Sequence, residues 1–469
     1  MKPFDIAVIG GGPGGYVAAI RAAQKGACVC LVERDKVGGT CLNRGCIPTK
    51  ALYSTARMLH GLRRAPEHGI GVGEVSFDFT QAARRKDQVV DKLVGGVEQL
   101  LKGNGVEVFR GEASLEGEGG IRIRRPGLSG HVRARNIILA TGSLEVRPGA
   151  FPFDGKNVLT SRELLGIKER PKSLLIVGGG YIGCEFASIF SAFGTEVVIV
   201  EQLPVLLARS DRQAVREIEK TLKENGVAIH TATTVEALEV GTEGVTARLS
   251  GDRRIVAEKV LVAVGRVPNS AGYGFEEADI RMAGRAVAVN ERMQTSRQGV
   301  YAIGDLTDII QLAHVASYQG GIAVDNALGH PAKADYRVVP SAIFTFPELA
   351  EVGLNEDRCK EQGLACKVGR FAYQASSKAL CDGEPRGMVK IVTGAEGEIL
   401  GGTVVGEEAS NLVAEIAAAM QGKMTAAALG KIIHAHPTLP EMIQEAAEDV
   451  SGEAVHKVTR RKPSEPREG

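Results

Sequence analysis

Long apolar runs are missing from this chain. No stretch approaches the roughly 18 consecutive apolar residues that a membrane-spanning helix needs. A strong charge imbalance is missing as well, since the formal net charge is +1, and this gives no indication of a nucleic-acid or membrane-surface partner. The N-terminus lacks a charged region followed by an apolar stretch and a small-residue cleavage site. We therefore expect a cytoplasmic protein with neither a nucleic-acid nor a membrane partner.

Metal-ligand spacing is also missing among the 8 cysteines, and we predict no metal site. Two of them, Cys41 and Cys46, lie in the segment GGTCLNRGCIPTK (residues 38–50), directly after a glycine-rich motif. We interpret the other six as small buried apolar side chains. These six are Cys28, Cys30, Cys184, Cys359, Cys366 and Cys381.

A disulfide between Cys41 and Cys46 requires an irregular turn, because residues five apart on an ideal helix lie roughly 140° apart around its axis. Gly45 and Pro48 can supply that turn. Strain in the linked loop favours reduction of the bond, and an intracellular enzyme seldom keeps a structural disulfide. We therefore predict that the two cysteines form a redox-active pair.

The N-terminal segment has the order strand, glycine turn, helix, strand. A strand at Phe4–Ile9 leads into GGGPGG (residues 10–15), an alanine-rich helix runs to Lys25, and a second strand ends in Glu33. The glycines allow a tight turn and a close approach of the backbone to a pyrophosphate at the helix N-terminus. The glutamate is placed to accept hydrogen bonds from ribose hydroxyls. The pattern predicts a dinucleotide site that includes Gly10, Gly12, Gly15 and Glu33.

The same pattern recurs 168 positions later, as GGGYIG (residues 178–183) followed by a strand that ends in Glu201. We therefore predict a second dinucleotide. The first site is expected to hold FAD, because a flavin can accept electrons from a thiolate and can also exchange hydride. The second site is expected to hold NAD, since Glu201 would repel a 2′-phosphate. Arg209 and Arg212 lie further along the chain and keep NADP open as an alternative.

Four more motifs extend the pattern: ILATGS (residues 138–143), AVGRVPN (263–269), GVYAIGD (299–305) and HAHPTLPE (434–441). With the two glycine motifs and the cysteine pair, in this order, the chain resembles the pyridine nucleotide-disulfide oxidoreductases. Within that family it is most similar to the members that oxidise dihydrolipoyl groups with NAD⁺. The resemblance extends to about Asp449, which is nearly the whole chain.

The resemblance implies an α/β fold with two Rossmann-like domains, for FAD and NAD, and an α+β C-terminal dimerisation domain. The length of 469 residues is consistent with about three domains. Residues 388–392 and 400–405 are expected to be strands of the C-terminal domain, and residues 411–420 a helix. The expected boundaries are 1–150 for the FAD domain, 151–270 for the NAD domain, 271–340 for a central segment returning to the FAD domain, 341–455 for dimerisation and 456–469 for a flexible tail.

The resemblance also implies roles for individual residues at the cofactors. Asp305 is expected at the flavin ribityl chain, and Lys50 near flavin N5 with Glu185 as its ion-pair partner. Further FAD contacts are expected from Gly39, Thr40, Ala113, Thr141, Gly142, Ala313 and His314. NAD contacts are expected from Gly178, Gly180, Tyr181, Ile182, Gly183, Glu201, Val235, Gly265 and Arg266.

His436 is the expected base, because a neutral imidazole with an ordinary pKa of about 6.5 can take a thiol proton near neutral pH. Glu441 could hold one nitrogen of its ring. His434 lies two residues away, but the family assigns the base to the histidine that precedes proline. The resemblance implies an antiparallel homodimer in which His436 and Glu441 of one subunit act on the thiols of the other. Cys41 is then the interchange thiol, and Cys46 lies nearer the flavin.

Three positions depart from the common family pattern. Arg44 stands between the cysteines, where we expect it to point to solvent. Pro440 replaces a small hydroxyl residue before Glu441, and Tyr181 occupies a position where aliphatic residues are frequent.

The expected partner is a lipoyl-bearing acyltransferase of a 2-oxo acid dehydrogenase complex or the carrier protein of the glycine cleavage system. A glutathione-reductase-like or mercuric-reductase-like enzyme is an alternative. Glu201 argues against the first, and the absence of cysteines after Cys381 against the second. A structural docking subunit is a further alternative, which the intact cysteine pair and His436 oppose.

Overall fold

A computed structural model describes residues 3–117, 120–125 and 127–458. The chain divides into two compact units. The first contains Met1–Ala56, Ser76–Gly178 and Val235–Asp335, and the second contains Arg57–Val75, Gly179–Thr234 and Tyr336–Gly469. Most of the expected tail at residues 456–469 lies outside the described residues. Within the described part of the chain, none of the helices combines the length and apolar character of a membrane span.

The helices and strands have the following bounds, in chain order. The α-helices are α1 Pro13–Gln24, α2 Gly39–Arg44, α3 Cys46–Arg64, α4 Phe79–Gly103, α5 Ser161–Leu164, α6 Tyr181–Ala192, α7 Arg212–Glu224, α8 Ala313–Ala327, α9 Glu356–Glu361, α10 Ser377–Cys381, α11 Ala409–Gln421, α12 Ala426–Leu429 and α13 Glu441–Asp449. The strands are β1 Phe4–Ile9, β2 Val29–Glu33, β3 Glu107–Arg110, β4 Glu112–Leu115, β5 Gly120–Arg125, β6 Leu128–Leu139, β7 Ser143–Glu145, β8 Val158–Leu159, β9 Ser173–Val177, β10 Glu196–Val200, β11 Ala228–His230, β12 Val235–Gly241, β13 Gly244–Leu249, β14 Arg254–Ala257, β15 Lys259–Val262, β16 Arg266–Pro268, β17 Met282–Ala283, β18 Ala286–Val287, β19 Val300–Ala302, β20 Pro340–Ile343, β21 Glu348–Gly353, β22 Lys367–Ala372, β23 Met388–Thr393 and β24 Ile399–Gly406. Short 3₁₀ turns lie at Ala65–His68, Gly304–Thr307 and Tyr373–Ala375.

The first unit is built around a sheet with the strand order β3-β2-β1-β6-β5-β4, in which β19 also pairs with β6. The central strands β1, β2 and β6 run parallel, whereas β4 and β5 are antiparallel additions. The predicted order of strand, glycine turn, helix and strand is confirmed by β1, α1 and β2. In the same unit β8, β15 and β9 form a second parallel arrangement.

Alternate residues of β1 are buried on opposite faces of this sheet. Ile6 and Val8 belong to one apolar cluster, which includes Ala18 and other residues of α1, whereas Ala7 and Ile9 belong to a second cluster. Burial on both faces explains the continuous apolar run of this strand, as is usual for parallel sheets. Packing on both faces therefore holds the carboxyl end of β1 in place. The glycine turn begins directly after this end.

The second unit contains α6, α7 and the parallel pair β10 and β11, together with a C-terminal sheet. That sheet has the order β20-β21-β24-β23-β22 and is antiparallel throughout. Its core joins Val389 and Ile391 of β23 to Leu412 and Ile416 of α11. The two predicted strands and the predicted alanine-rich helix of this region are confirmed, and the predicted fold class is confirmed with them.

A buried ion pair joins α7 to the C-terminal sheet within the second unit. Lys390 of β23 is 2% exposed, and its ammonium group lies 2.5 Å from Asp211 and 2.8 Å from Glu356. Asp211 also caps α7, because its side chain accepts hydrogen bonds from the N–H groups of Gln213 and Ala214. Glu351 of β21 accepts a hydrogen bond from the Asp211 N–H at 2.8 Å.

Replacing Lys390 with alanine is expected to lower the free energy of unfolding by about 3–5 kcal/mol, because it leaves the buried Asp211 carboxylate without its cation. The measurement is urea unfolding at fixed protein concentration. Lys378→Ala is the matched control, since Lys378 pairs with Asp382 at the surface, and it should change the unfolding midpoint little. Equal effects of the two substitutions would contradict a structural role for the buried pair.

Candidate active site

The thiol segment is made of two helices separated by one glycine. Cys41 lies in α2, and Cys46 is the first residue of α3. Gly45, between them, has φ −146° and ψ −109°, so the helix is broken there. The predicted irregular turn is present at Gly45. Pro48 does not belong to it, because Pro48 is buried in the first turn of α3, where its missing N–H is not needed.

The two thiols are in contact. Both are in the thiol form in the structure, Cys41 half-buried and Cys46 exposed. A hydrogen bond with Cys46 raises the pKa of Cys41, burial raises it further, and the charge of Lys50 opposes these effects. Reduced Cys41 thus holds its proton firmly, so the chemistry that cycles the pair needs a group able to exchange protons with thiols.

Three expectations about individual side chains are wrong. Arg44 does not point to solvent but pairs with Asp35, and burial followed by the charge of Arg162 lowers its pKa. Cys28 and Cys381 are exposed rather than buried. Cys28 lies just before β2, and Cys381 is the last residue of α10. Neither cysteine therefore lies in the middle of a strand or helix.

The thiol helix α2 packs directly on the first glycine turn. The N–H of Gly38 donates to the Gly11 carbonyl at 2.7 Å. Gly39 has φ +57°, and a Cβ there would lie 2.6 Å from the Cα of Gly12. Only glycine allows this approach, so the backbone itself brings the cysteines to the predicted FAD turn.

The two predicted ribose-binding glutamates are held by matching hydrogen bonds from the backbone. Glu33 accepts hydrogen bonds from the N–H groups of Gly11 at 2.7 Å and Asp35 at 2.8 Å. Glu201 accepts from the N–H groups of Gly179 at 2.6 Å and Leu203 at 2.7 Å. Both side chains are buried, and each carboxylate retains lone pairs that could accept a hydrogen bond from a hydroxyl group.

The glycine turns fit two pyrophosphates. Gly12 is the N-cap of α1, and a Cβ there would approach only the Cα of Gly39, at 3.8 Å. Gly180 is the N-cap of α6, and a Cβ there would have no atom within 4 Å. Each of these 12-residue helices therefore presents its N-terminal amides without a covering side chain, as a bound phosphate requires.

Asp305 lies in the first turn after β19, and its carboxylate belongs to a network that the sequence did not predict. The Ser143 hydroxyl donates to Asp305 at 2.5 Å. Arg266 donates to the same hydroxyl at 2.8 Å and pairs with Glu145 at 3.2 Å. Arg266, predicted at the NAD site, is thus linked through Ser143 to the aspartate predicted at the flavin. Ser143 directly follows Thr141 and Gly142, two predicted FAD residues. That place in the sequence could have indicated that Ser143 lies near the flavin site.

The remaining predicted FAD residues also lie in the first unit. Thr141 donates its hydroxyl to the Asn269 carbonyl at 2.7 Å, and the next residue, Gly142, has φ +73°. Ala113 is buried in β4. Ala313 and the exposed His314 begin α8. Thr40 is half-buried in α2.

The predicted NAD residues divide between the two units. Gly178, Val235, Gly265 and Arg266 lie in the first, and Gly180, Tyr181, Ile182, Gly183 and Glu201 in the second. Tyr181 is the first residue of α6, with 46% of its surface exposed. Lys50 and Glu185, the predicted ion pair, also belong to different units. Glu185 is buried and accepts a hydrogen bond from the Phe344 N–H at 3.0 Å.

His436 and Glu441 form a dyad in the second unit. Nδ1 of His436 lies 2.9 Å from Glu441 Oε1, and the Thr438 N–H donates to the other carboxylate oxygen at 2.7 Å. Burial by itself raises the pKa of Glu441, but the hydrogen bonds from Thr438 and His436 hold it below its usual value. The His436 side chain is 72% exposed. Pro440, immediately before α13, therefore does not prevent the carboxylate from meeting the ring.

His434, the neighbouring histidine, is held differently. Its Nε2 lies 2.8 Å from Glu415 and its Nδ1 lies 3.0 Å from the Ile432 carbonyl, and its side chain is 8% exposed. Burial alone lowers the pKa of His434, but Glu415 raises it above the usual value. With both nitrogens engaged, His434 is a structural group, and His436 is the histidine that presents a ring nitrogen outward.

Glu441→Gln is expected to lower kcat by about a hundredfold, near the lower end of what a positioned base contributes. The amide cannot both accept from Thr438 and stabilise a protonated ring as a carboxylate does. The measurement is steady-state turnover with dihydrolipoamide and NAD⁺. The amount of bound FAD is measured for each variant as well. Glu415→Gln alters only the partner of His434 and should keep the activity. A larger loss of activity in Glu415→Gln than in Glu441→Gln would contradict the assignment of His436 as the base.

The sequence and structural comparisons give one family. Residues 4–320 match the model described as "Pyridine nucleotide-disulphide oxidoreductase", and residues 339–447 match its dimerisation domain. The chain is 41% identical over 468 residues to the dihydrolipoyl dehydrogenase of Thermus scotoductus, which covers 98% of this chain and 100% of that protein. A dihydrolipoyl dehydrogenase of Bacillus subtilis is 40% identical over 458 residues, covering 96% and 97%. The crystal structure of LpdA from Mycobacterium tuberculosis has a TM-score of 0.90 at 28% identity, covering 94% of this chain and 98% of that one.

The chain belongs to the pyridine nucleotide-disulfide oxidoreductase family. It is an oxidoreductase that uses FAD and NAD, and its dimerisation domain makes it a homodimer. The family and the two cofactors are therefore confirmed. The relatives that match almost its whole length and share about two-fifths of its residues are dihydrolipoyl dehydrogenases.

Proposed function

We propose that the chain oxidises protein-bound dihydrolipoyl groups to the lipoyl disulfide and reduces NAD⁺ to NADH, the activity of a dihydrolipoyl dehydrogenase. The observation that carries the proposal is the pairing of a thiol couple with a separate histidine and carboxylate. Cys41 and Cys46 are in contact, and His436 is held by Glu441 at 2.9 Å with most of its ring exposed. A dithiol substrate requires both a disulfide partner and a base.

The thiol steps follow from these groups. His436 takes the proton from one substrate thiol, and the resulting thiolate attacks Cys41 of the oxidised pair. The Cys41–Cys46 bond breaks, a bond between the substrate sulfur and Cys41 forms, and Cys46 leaves as a thiolate. The second substrate thiol then loses its proton to solvent, and the thiolate attacks the sulfur of the mixed disulfide that belongs to the substrate. The lipoyl disulfide closes, and Cys41 is released and takes the proton back from His436.

The cofactors complete the electron transfer. A flavin bound at the first glycine turn would supply the link between the thiols and NAD⁺, because it can accept an electron pair and donate hydride. Gly10, Gly12 and Gly15 would hold its pyrophosphate, and Asp305 its ribityl hydroxyls. Lys50 is proposed to stabilise negative charge on the reduced ring, with Glu185 orienting it. Glu201 would hold the adenosine ribose of NAD and disfavour a 2′-phosphate.

We propose that each active site is shared between subunits, with the thiols from one and the His436–Glu441 dyad from its partner. The physiological substrate would be a lipoyl group on an acyltransferase of a 2-oxo acid dehydrogenase complex or on the carrier protein of the glycine cleavage system. Both carry the same dithiol, so they share one chemistry at this site. The cytoplasmic location expected from the sequence is part of this proposal.

A direct comparison of substrates tests the function. Initial rates are measured for NADH formation from dihydrolipoamide and NAD⁺, and for NADH- or NADPH-dependent reduction of glutathione disulfide and of Hg²⁺. The expected result is turnover with dihydrolipoamide that exceeds the other activities and prefers NAD⁺ over NADP⁺. Faster turnover of glutathione disulfide with NADPH would instead assign the alternative, a glutathione-reductase-like enzyme.

A further inference from the structure

A second pair of cysteines meets in the C-terminal part of the chain, away from the catalytic motif. Cys359 lies in α9 and is fully buried, whereas Cys366, the residue before β22, is half-buried. Both are free thiols, and Cys366 lies close enough to Cys359 to raise its pKa. The sequence gives six intervening residues and no metal-ligand motif, so it does not reveal this contact.

The backbone between these cysteines explains why they meet. The N–H of Leu364 donates to the Cys359 carbonyl at 2.9 Å, and the N–H of Gly363 donates to the Lys360 carbonyl at 3.0 Å. Gly363 has φ +66°, a left-handed conformation that reverses the chain at the end of α9. The chain then enters β22 at Lys367.

The other end of α9 is fixed to the same strand. Glu356, its first residue, pairs with Arg370 of β22 at 2.7 Å and with Lys390 at 2.8 Å. Asn355 caps the helix, accepting a hydrogen bond from the Arg358 N–H at 3.0 Å. Because Glu356 pairs with Arg370 of β22 at the start of α9 and the Gly363 turn leads from its end into the same strand, the fold keeps the two thiols near each other.

We propose that Cys359 and Cys366 form a second, reversible disulfide, made by exchange with a small organic disulfide. The accessible Cys366 loses its proton to solvent and attacks the external disulfide, forming a mixed disulfide and releasing one small thiol. Cys359 then loses its proton and attacks the Cys366 sulfur, closing the internal bond and releasing the second small thiol. Two protein thiols are oxidised, and one external disulfide is reduced to two thiols.

The different exposure of the two thiols sets the order of these steps. Cys359 has no surface for an external reagent, and burial, followed by the neighbouring Cys366, raises its pKa to about 11. Cys366 is therefore the entry thiol, and Cys359 is the resolving thiol. The bond would join the C-terminal end of α9 to the start of an edge strand of the C-terminal sheet.

Treatment of the intact FAD-loaded dimer with glutathione disulfide, alkylation of free thiols and peptide mass spectrometry test this. Cys381, an exposed free thiol, serves as the internal reference and should retain glutathione. Cys366 should instead be linked to Cys359, with no glutathione and with both thiols protected from alkylation. Dithiothreitol should restore both thiols. The Cys41–Cys46 pair lies in separate peptides and does not affect the readout.

Two variants make the result decisive. In Cys359→Ala, Cys366 should retain glutathione as Cys381 does, because the resolving thiol is gone. In Cys366→Ser, Cys359 should remain unmodified, because the entry thiol is gone. A wild-type protein in which Cys366 keeps glutathione, or in which both thiols remain alkylatable while Cys381 is modified, would overturn the proposal.

Discussion

Cys46→Ser is expected to lower dihydrolipoamide-driven NADH formation by about a thousandfold or more, as the loss of an essential nucleophile does. Serine cannot form the disulfide that accepts electrons from the substrate, so neither half of the exchange can proceed. Cys41→Ser should have a loss of similar size, because it removes the sulfur that the substrate attacks. The measurement is the initial rate with NAD⁺ and dihydrolipoamide.

Two controls separate this effect from misfolding. Both variants should keep bound FAD, seen in the visible absorption of the purified protein, because no cysteine side chain is needed to hold the cofactor in the glycine turn. Cys381→Ser, which alters an exposed thiol outside the catalytic segment, should retain wild-type turnover. A Cys46→Ser protein that kept most of its activity would remove the thiol pair from the mechanism.

A heterodimer made from two inactive chains is expected to regain about half of the wild-type activity. One chain carries Cys46→Ser and the other carries His436→Gln, and the two are purified together by different tags. If each site takes its thiols from one subunit and its dyad from the other, one site contains both defects and the second is intact. Each homodimer alone should be nearly inactive.

The opposite arrangement gives a different result. If the thiols and the dyad of the same chain acted together, both sites of the heterodimer would carry one defect, and activity would remain near that of the homodimers. Reversing the tags provides the matched control for differences in expression. The test therefore distinguishes a site shared between subunits from a site within one subunit, independently of the absolute rate.

The sequence predicted the strands and helices around the glycine turns because their signals are local. The strand at Phe4–Ile9 is an apolar run that is followed directly by Gly10, and such a run is buried on both faces of a parallel sheet. The break between Cys41 and Cys46 was also predictable, since glycine lies between them. His436 and Glu441 are five residues apart, so their pairing required only a turn.

Contacts between distant residues were not predictable in the same way. Ser143 is 162 positions from Asp305 and 123 from Arg266, and no local pattern connects them. The pair of Arg44 and Asp35 depended on the orientation of α2, which the close approach of Gly39 to Gly12 sets. Exposure was predicted poorly for Cys28 because residue type alone does not say whether a position lies within a strand or just before it.

The most direct test of the proposed activity is anaerobic product analysis. The purified enzyme is mixed with NAD⁺ and a limiting amount of dihydrolipoamide, and NADH and lipoamide are both quantified. The account predicts that one NADH and one lipoyl disulfide appear for each dithiol consumed, and that NADP⁺ in place of NAD⁺ gives much slower turnover. A protein that binds FAD and is reduced by NADH but forms no lipoamide under these conditions would contradict the dihydrolipoyl assignment.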